Sequence, residues 1–408
     1  MTSATLRPIA ALMIGSLLVA SDAALAEKKY GPGVTDTEIK IGQTMPYSGP
    51  LSGLGTIGRA ELAYFDMINA QGGVNGRKIR LISLDDGYNP AKTVEQTRKL
   101  IEDEGVLLLF GSLGTPTNTA IHKYVNAKHV PHLFPQTGAT KWGDPKHFPW
   151  TMGGLLLPYQ TEGRIYARYI LQSKPDARIA VLYQNDDFGK DYVKGFKDEL
   201  GDKAAHMIVA EASYEVTDPM VDSQIISLQA SGADMLFDVT TPKASVQTIR
   251  KVYEIGWNPL HVIRGPGTSV GAVLAPAGLE KSVGLISAQA YKDPTDPVWK
   301  DDPGMKNWLA WMKAHYPQGD VTDDNNVNAY VDAQVLVQVL RQCGDDLTRE
   351  NVMRQAANLR NLELDMLLPG IRINTSPTDY FPIEQAQMRR FDGKEWVLFG
   401  GILGVESH

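Results

Sequence analysis

Among the residues whose types and spacing could do chemistry, Gly53-Leu54-Gly55-Thr56-Ile57-Gly58 comes first, a literal G-x-G-x-x-G between a strand-like and a helix-like run. Such spacing can cradle a pyrophosphate, because glycines admit close backbone approach and a helix N-terminus favours negative charge. Asp85 and Asp86 end the next strand-like run, where an acid that holds a ribose would stand. The fingerprint needs its first glycine in the turn directly after the strand, but here Pro46 to Ser52 intervene. The expectation is a helix start whose backbone approaches some ligand closely, without a dinucleotide.

Other reactive patterns are weaker still. The chain has no H-E-x-x-H, and its eight histidines are scattered. His129 and His132 flank Val130-Pro131 at a strand entry instead of sharing a helix face, so packing is expected there and not a metal. Asp186-Asp187 and Asp323-Asp324 lie in turn-like sequence, where capping accounts for them. No catalytic group, cofactor or metal is expected, and the reading is of a binding protein, not an enzyme.

The elements that must position these residues alternate along the chain. Strand patterns at Ile39–Met45, Lys78–Leu84 and Val106–Phe110 alternate with helix patterns at 56–69, 90–104 and 116–126. The grammar restarts with a helix at 160–171. Strands follow at Arg178–Tyr183, Met207–Ala212 and Met235–Val239, with helices at 188–200, 220–230 and 242–255 between and after them. This predicts an α/β fold of two Rossmann-like lobes, each built on a parallel central sheet. After Gly284 the pattern turns helical (305–316, 325–342, 349–359) and ends in short strands near Met388 and Trp396. That tail completes the two lobes instead of forming a third domain, so the chain must cross between them several times and form a hinge. The expected division is 27–157 plus 292–368 for the first lobe and 158–291 plus 369–408 for the second.

Net charge is −7, which points away from nucleic acid, whose binding surfaces are basic. The single cysteine, Cys343, excludes an intramolecular disulfide and reads as a buried thiol. Arg7, the apolar run Ile9 to Val19 and Ala24-Leu25-Ala26 have the order of a secretory signal peptide over residues 1–26, cleaved after Ala26. The mature chain is expected in the periplasm, as a monomer.

In open α/β sheets ligands bind beyond the carboxyl ends of the strands. The loops there include 47–54, 111–117 and 135–140 in the first lobe, rich in Gly, Ser and Thr. In the second they are 184–188, 240–242 and 264–267. Hydroxyls and free N–H groups at helix starts suit an anion.

At these residues the sequence resembles the periplasmic branched-chain amino-acid (Leu/Ile/Val-type) binding proteins of ABC transporters, type I. The resemblance rests on Ile39-Lys40-Ile41-Gly42, Ser48-Gly49-Pro50, Ile68-Asn69-Ala70-Gln71-Gly72-Gly73-Val74-Asn75-Gly76, Asp85-Asp86 with Pro90, Ile179-Ala180-Val181-Leu182 and Phe188-Gly189. It implies two lobes joined by three crossover segments, closing on a small molecule and delivering it to an inner-membrane ABC permease. Carried over by position, it assigns carboxylate contacts to Thr115 and to Gln136-Thr137-Gly138, beside Gly114 and Ala139. Apolar contacts fall on Leu54, Leu113 and Tyr291, and lid contacts on Phe188 and near Thr240.

Two departures bear on the ligand. The acid that pairs with an amino acid's ammonium in such relatives falls on Gly267, with Arg264 three residues earlier. The cysteine pair of some relatives is replaced by Tyr88 and Gly114. An unpaired buried ammonium is costly. The expected ligand is therefore a hydrophobic carboxylic acid of the hydroxycinnamate or benzoate type, stacked by Tyr159, Phe188 or Tyr291. The runs at 114–119 and 137–141 resemble a subgroup associated with such acids. A branched-chain or other aliphatic amino acid, or a sensing role for the same fold, is the alternative.

Overall fold

The computed structural model of the chain describes residues 1–2 and 28–404. The apolar run from Ile9 and the cleavage expected after Ala26 lie outside them. Among the described residues no helix is long and apolar enough to cross a membrane.

The chain enters through β1 (Lys29–Tyr30), then forms β2 (Glu38–Met45), β3 (Lys78–Asp85), β4 (Leu108–Phe110) and β5 (His132–Leu133). The last four make a parallel sheet in the order β3-β2-β4-β5. Next come β6 (Ile179–Gln184), β7 (Ile208–Tyr214), β8 (Met235–Val239), β9 (Leu260–Ile263) and β10 (Ile286–Gln289), then β11 (Asp346–Leu347), β12 (Gln385–Phe391) and β13 (Trp396–Gly404). A seven-stranded sheet runs β13-β12-β10-β9-β8-β6-β7, and β11 returns to pair with β1.

The strand patterns read in the sequence do not include β1, β5, β9 or β11, of which β5 and β9 are implied only by the loops that follow them, and two further differences shape the second sheet. β10 lies where a helical pattern was expected to begin. Its four residues, Ile-Ser-Ala-Gln, carry a single β-branched aliphatic, and burial between β9 and β12 makes them a strand. β12 and β13 run antiparallel at the edge of an otherwise parallel sheet.

Local chemistry sets the helix starts. The Asn89 side chain accepts from the N–H groups of Ala91 (2.9 Å) and Lys92 (3.2 Å), with Pro90 at the first helical position. Asp186 caps the Asp187–Leu200 helix through Phe188 N (3.0 Å) and Gly189 N (3.2 Å), as capping predicts for that pair of acids.

Three crossings link the two sheets, and they run side by side. Lys292 N donates to Met366 O and Leu368 N to Ala290 O, both at 2.9 Å, around a Tyr291–Leu367 bridge. Gly153 N donates to Tyr380 O at 3.0 Å, and the Tyr291 hydroxyl donates to Leu155 O. Between the second and third crossings, the Asn325–Cys343 helix packs against the Thr56–Ala70 helix on the first sheet's side.

His132, in β5, is fully buried, and neither ring nitrogen has a hydrogen-bond partner. Burial lowers its pKa to about 3. Between that value and the unfolded value near 6.5 only the unfolded chain takes up the proton, so stability falls as pH falls. Going from pH 6.5 to 5 should cost about 2 kcal/mol through this group. Urea midpoints at the two pH values should show that His132→Leu removes this loss; an equally steep loss in the variant would refute the assignment.

Candidate functional site

The carboxyl ends of the strands in both sheets face each other across a cleft with a cavity volume of about 60 Å³. From the first sheet's side come Leu51, Leu54 and Ile57, then Leu113, Gly114 and Thr115, then Gln136. Leu51 to Ile57 form a 3-10 turn running into a helix, which turns three aliphatic side chains inward. The glycines of the G-x-G-x-x-G have a different task from the one expected. A Cβ at Gly55 would lie 2.9 Å from the Tyr47 ring, and one at Gly58 would collide with the Tyr47 hydroxyl. The close approach at this helix start is made by Tyr47.

Gly114 has φ +105, and a Cβ there would come within 2.5 Å of both the Tyr88 ring and Thr117 Oγ1. Positions 88 and 114 therefore lie against each other, with the Tyr88 ring filling the space and lining the cleft. Thr115 Oγ1 pairs with Thr137 Oγ1 at 2.8 Å. The Gln136 side-chain amide donates to Asp332, a fully buried carboxyl that burial holds well above the usual range. Gln136 is thus held from behind while its other face lines the cleft.

The opposite wall is aromatic and cationic. Tyr159 and Phe188 meet edge to face at 5.4 Å, and Tyr192 stacks behind Tyr159 at 4.4 Å. The Arg264 guanidinium lies 4.7 Å over the Phe188 ring, and its Nε donates to Thr240 O at 2.6 Å. Arg264 is 4% exposed, and among the described residues no carboxylate comes within 4.0 Å of it. Glu162 is nearby but otherwise engaged: it accepts from Gly265 N, Tyr166 Oη and Tyr192 Oη, each at 2.6 Å. Burial raises the Tyr88 and Tyr159 phenols above their usual range, so both remain neutral hydroxyls.

Eight of the residues singled out in the sequence line this cleft: Leu54, Leu113, Gly114, Thr115, Gln136, Tyr159, Phe188 and Arg264. The others stand off the wall for identifiable reasons. Thr137 is buried under Thr115, and Gly138 lies beneath Tyr159, whose ring would be 2.7 Å from a Cβ there. Ala139 borders a surface groove with Lys141 and Asp187. Thr240 is pinned by Asp238 (2.6 Å) and Ser245 (2.8 Å), and its neighbour Thr241 faces the cleft instead. A side chain at position 267 would meet Ser245 Oγ and Thr240 O, so Gly267 is turned into the second lobe's wall. Tyr291 lines an adjoining chamber. Sequence reasoning also missed Leu156, Asn325 and Asn328, which arrive from the hinge and from the Asn325–Cys343 helix.

Both rims of the cleft are bridged. On one side Lys141 Nζ pairs with Asp187 at 2.5 Å, and Thr140 N donates to Asp191 at 2.7 Å. On the other, Ser269 Oγ donates to Asp323 at 2.8 Å and Gly271 N to Thr322 O at 3.0 Å. Asp323 thus does more than cap a turn.

A family model described as periplasmic binding protein matches residues 38–395. The Leu/Ile/Val-binding protein homolog 7 of Brucella abortus (strain 2308) is 26% identical over 335 residues, covering 78% of this chain and 80% of its own length. A branched-chain amino-acid ABC transporter protein from Thermus thermophilus, solved with bound valine, superposes with a TM-score of 0.81 at 16% identity, over 91% of this chain and 98% of its own. A fatty acid ABC transporter substrate-binding protein from Thermomonospora curvata gives 0.76 at 22% identity, over 93% and 95%. The chain belongs to the periplasmic binding protein family, with the two-lobed architecture of its Leu/Ile/Val-binding members.

Proposed function

We propose that the protein captures a hydrophobic carboxylic acid, of the aromatic benzoate or hydroxycinnamate type, and delivers it to an inner-membrane ABC permease. The family's members bind small molecules and work with such permeases. The observation that carries the ligand class is Arg264, a buried guanidinium beside aromatic and aliphatic surface in the cleft, with no carboxylate within ion-pair distance among the described residues. Closing the lobes over that cation alone is costly, and an anionic ligand offsets the cost. Phe188, Tyr159 and Tyr88 offer flat apolar surface to the remainder of the molecule. The fatty-acid title of the Thermomonospora curvata neighbour fits an apolar acid as cargo for this fold. In this reading the ligand-contacting residues are those of the cleft wall, and the lobes divide at the three crossings. The mature chain begins after Ala26, three residues before β1 pairs into the fold, and works in the periplasm as a monomer.

Thermal-shift measurements against benzoate, cinnamate, a medium-chain fatty acid, leucine and valine test the ligand class. An acid at about 100 times its Kd should stabilise the fold by about 2.7 kcal/mol. The names of the Brucella and Thermus relatives favour a second reading, an aliphatic amino acid. Stabilisation by leucine or valine and by no aromatic acid would establish that reading and refute the first.

A further inference from the structure

A second, small chamber of about 20 Å³ adjoins the cleft on the hinge side, and Leu156 and Asn328 line both. Its chemistry is the reverse of the first. Glu162 and Asp324 line it, along with Gln289 and Tyr291, and Arg389 stands 3.7 Å behind Asp324. Gln289 is committed, its oxygen to Ala290 N at 2.9 Å and its nitrogen towards Asp324 at 3.5 Å. Glu162 already accepts three hydrogen bonds. Asn328 stands apart. It is 7% exposed, its Oδ1 is buried without a partner, and no side-chain hydrogen bond engages its amide among the described residues. A buried amide left unpaired costs about 1–3 kcal/mol, so a polar ligand atom in reach would be strongly favoured. The unpaired atom is Oδ1, an acceptor, so its complement is a hydrogen-bond donor on the ligand.

Resting on the carboxylate reading above, we infer that the ligand is bifunctional: its carboxylate lies at the Arg264 end, and a hydroxyl at its far end docks on Asn328 where the two chambers meet. The ligand class is then a hydroxylated aromatic acid, and Asn328 sets the preference for the hydroxyl. Calorimetric titration of the mature protein with two matched pairs, benzoate with 4-hydroxybenzoate and cinnamate with 4-hydroxycinnamate, tests it. The hydroxylated member of at least one pair should bind about tenfold tighter, the worth of one buried hydrogen bond. Asn328→Leu should erase that preference, bringing the hydroxylated acid and its parent to equal affinity. Asn328→Ala, which only deletes atoms at the chamber boundary, makes the same comparison should the leucine variant not fold. Equal wild-type affinities within both pairs, or a preference that survives both substitutions, would overturn the role of Asn328 and leave the carboxylate reading standing. Binding of leucine with none of the four acids would overturn both.

Discussion

Arg264→Ala should weaken binding of an aromatic carboxylate by about 100-fold, the worth of a charge-assisted hydrogen-bonded contact in a desolvated site. The guanidinium is 4% exposed and pinned to Thr240 O, so its position is set before any ligand arrives. Lysine would restore the charge but not the planar fork or the stacking on Phe188, so Arg264→Lys should recover only part of the loss. Calorimetry of the three proteins with one acid checks this. An unchanged Kd in Arg264→Ala would leave Arg264 as a residue that packs against Phe188 of the Asp187–Leu200 helix and would remove the main support for an anionic ligand. The same variant should not lose stability in the absence of ligand, because deleting the cation also removes the cost of burying it when the lobes close.

Gly195→Ala should destabilise the second lobe by about 3 kcal/mol, at the upper end of ordinary overpacking. The Tyr159–Ser173 and Asp187–Leu200 helices cross in close backbone contact, and a Cβ at Gly195 would fall on the Gln160 backbone. The fit is reciprocal, since a Cβ at Gly163 would lie 2.6 Å from Tyr192 O and 2.9 Å from Phe196 N. In an isolated helix the substitution would favour folding, by about 1 kcal/mol. The sign is therefore decided by backbone atoms that cannot move aside. The same crossing holds Tyr159 against Phe188 and Tyr192, so ligand affinity should fall along with the urea midpoint. A stable variant with normal affinity would show that the helices can part without disturbing the aromatic wall.

The legible part of the site has a pattern. Thr115, Gln136, Phe188 and Arg264 lie within a few residues of strand ends, where the chain after a parallel strand opens towards the cleft. Misplacements came where one residue of offset decides which way a side chain faces. Thr240 and Thr241 are alike in sequence, and only the hydrogen bonds that Thr240 makes to Asp238 and with Ser245 determine which of them turns inward. Gly267 suggested a missing acid, yet that position faces Ser245. That no carboxylate among the described residues pairs with Arg264 follows instead from the surroundings of the guanidinium, which stacks on Phe188 and donates to Thr240 O.

By itself the sequence determined the alternation of strands and helices, the caps at Asn89 and Asp186, and the strand ends that carry the cleft loops, because each depends on a few neighbouring residues. Only the tertiary structure decided that Ile286–Gln289 is a strand, that Gly55 and Gly58 serve Tyr47, and that Asn328 reaches the boundary of two chambers from a helix hundreds of residues away from Leu54. Those outcomes depend on which surfaces the three crossings bring together. No local periodicity encodes them, because burial and steric fit act between residues that are close in space and distant along the chain.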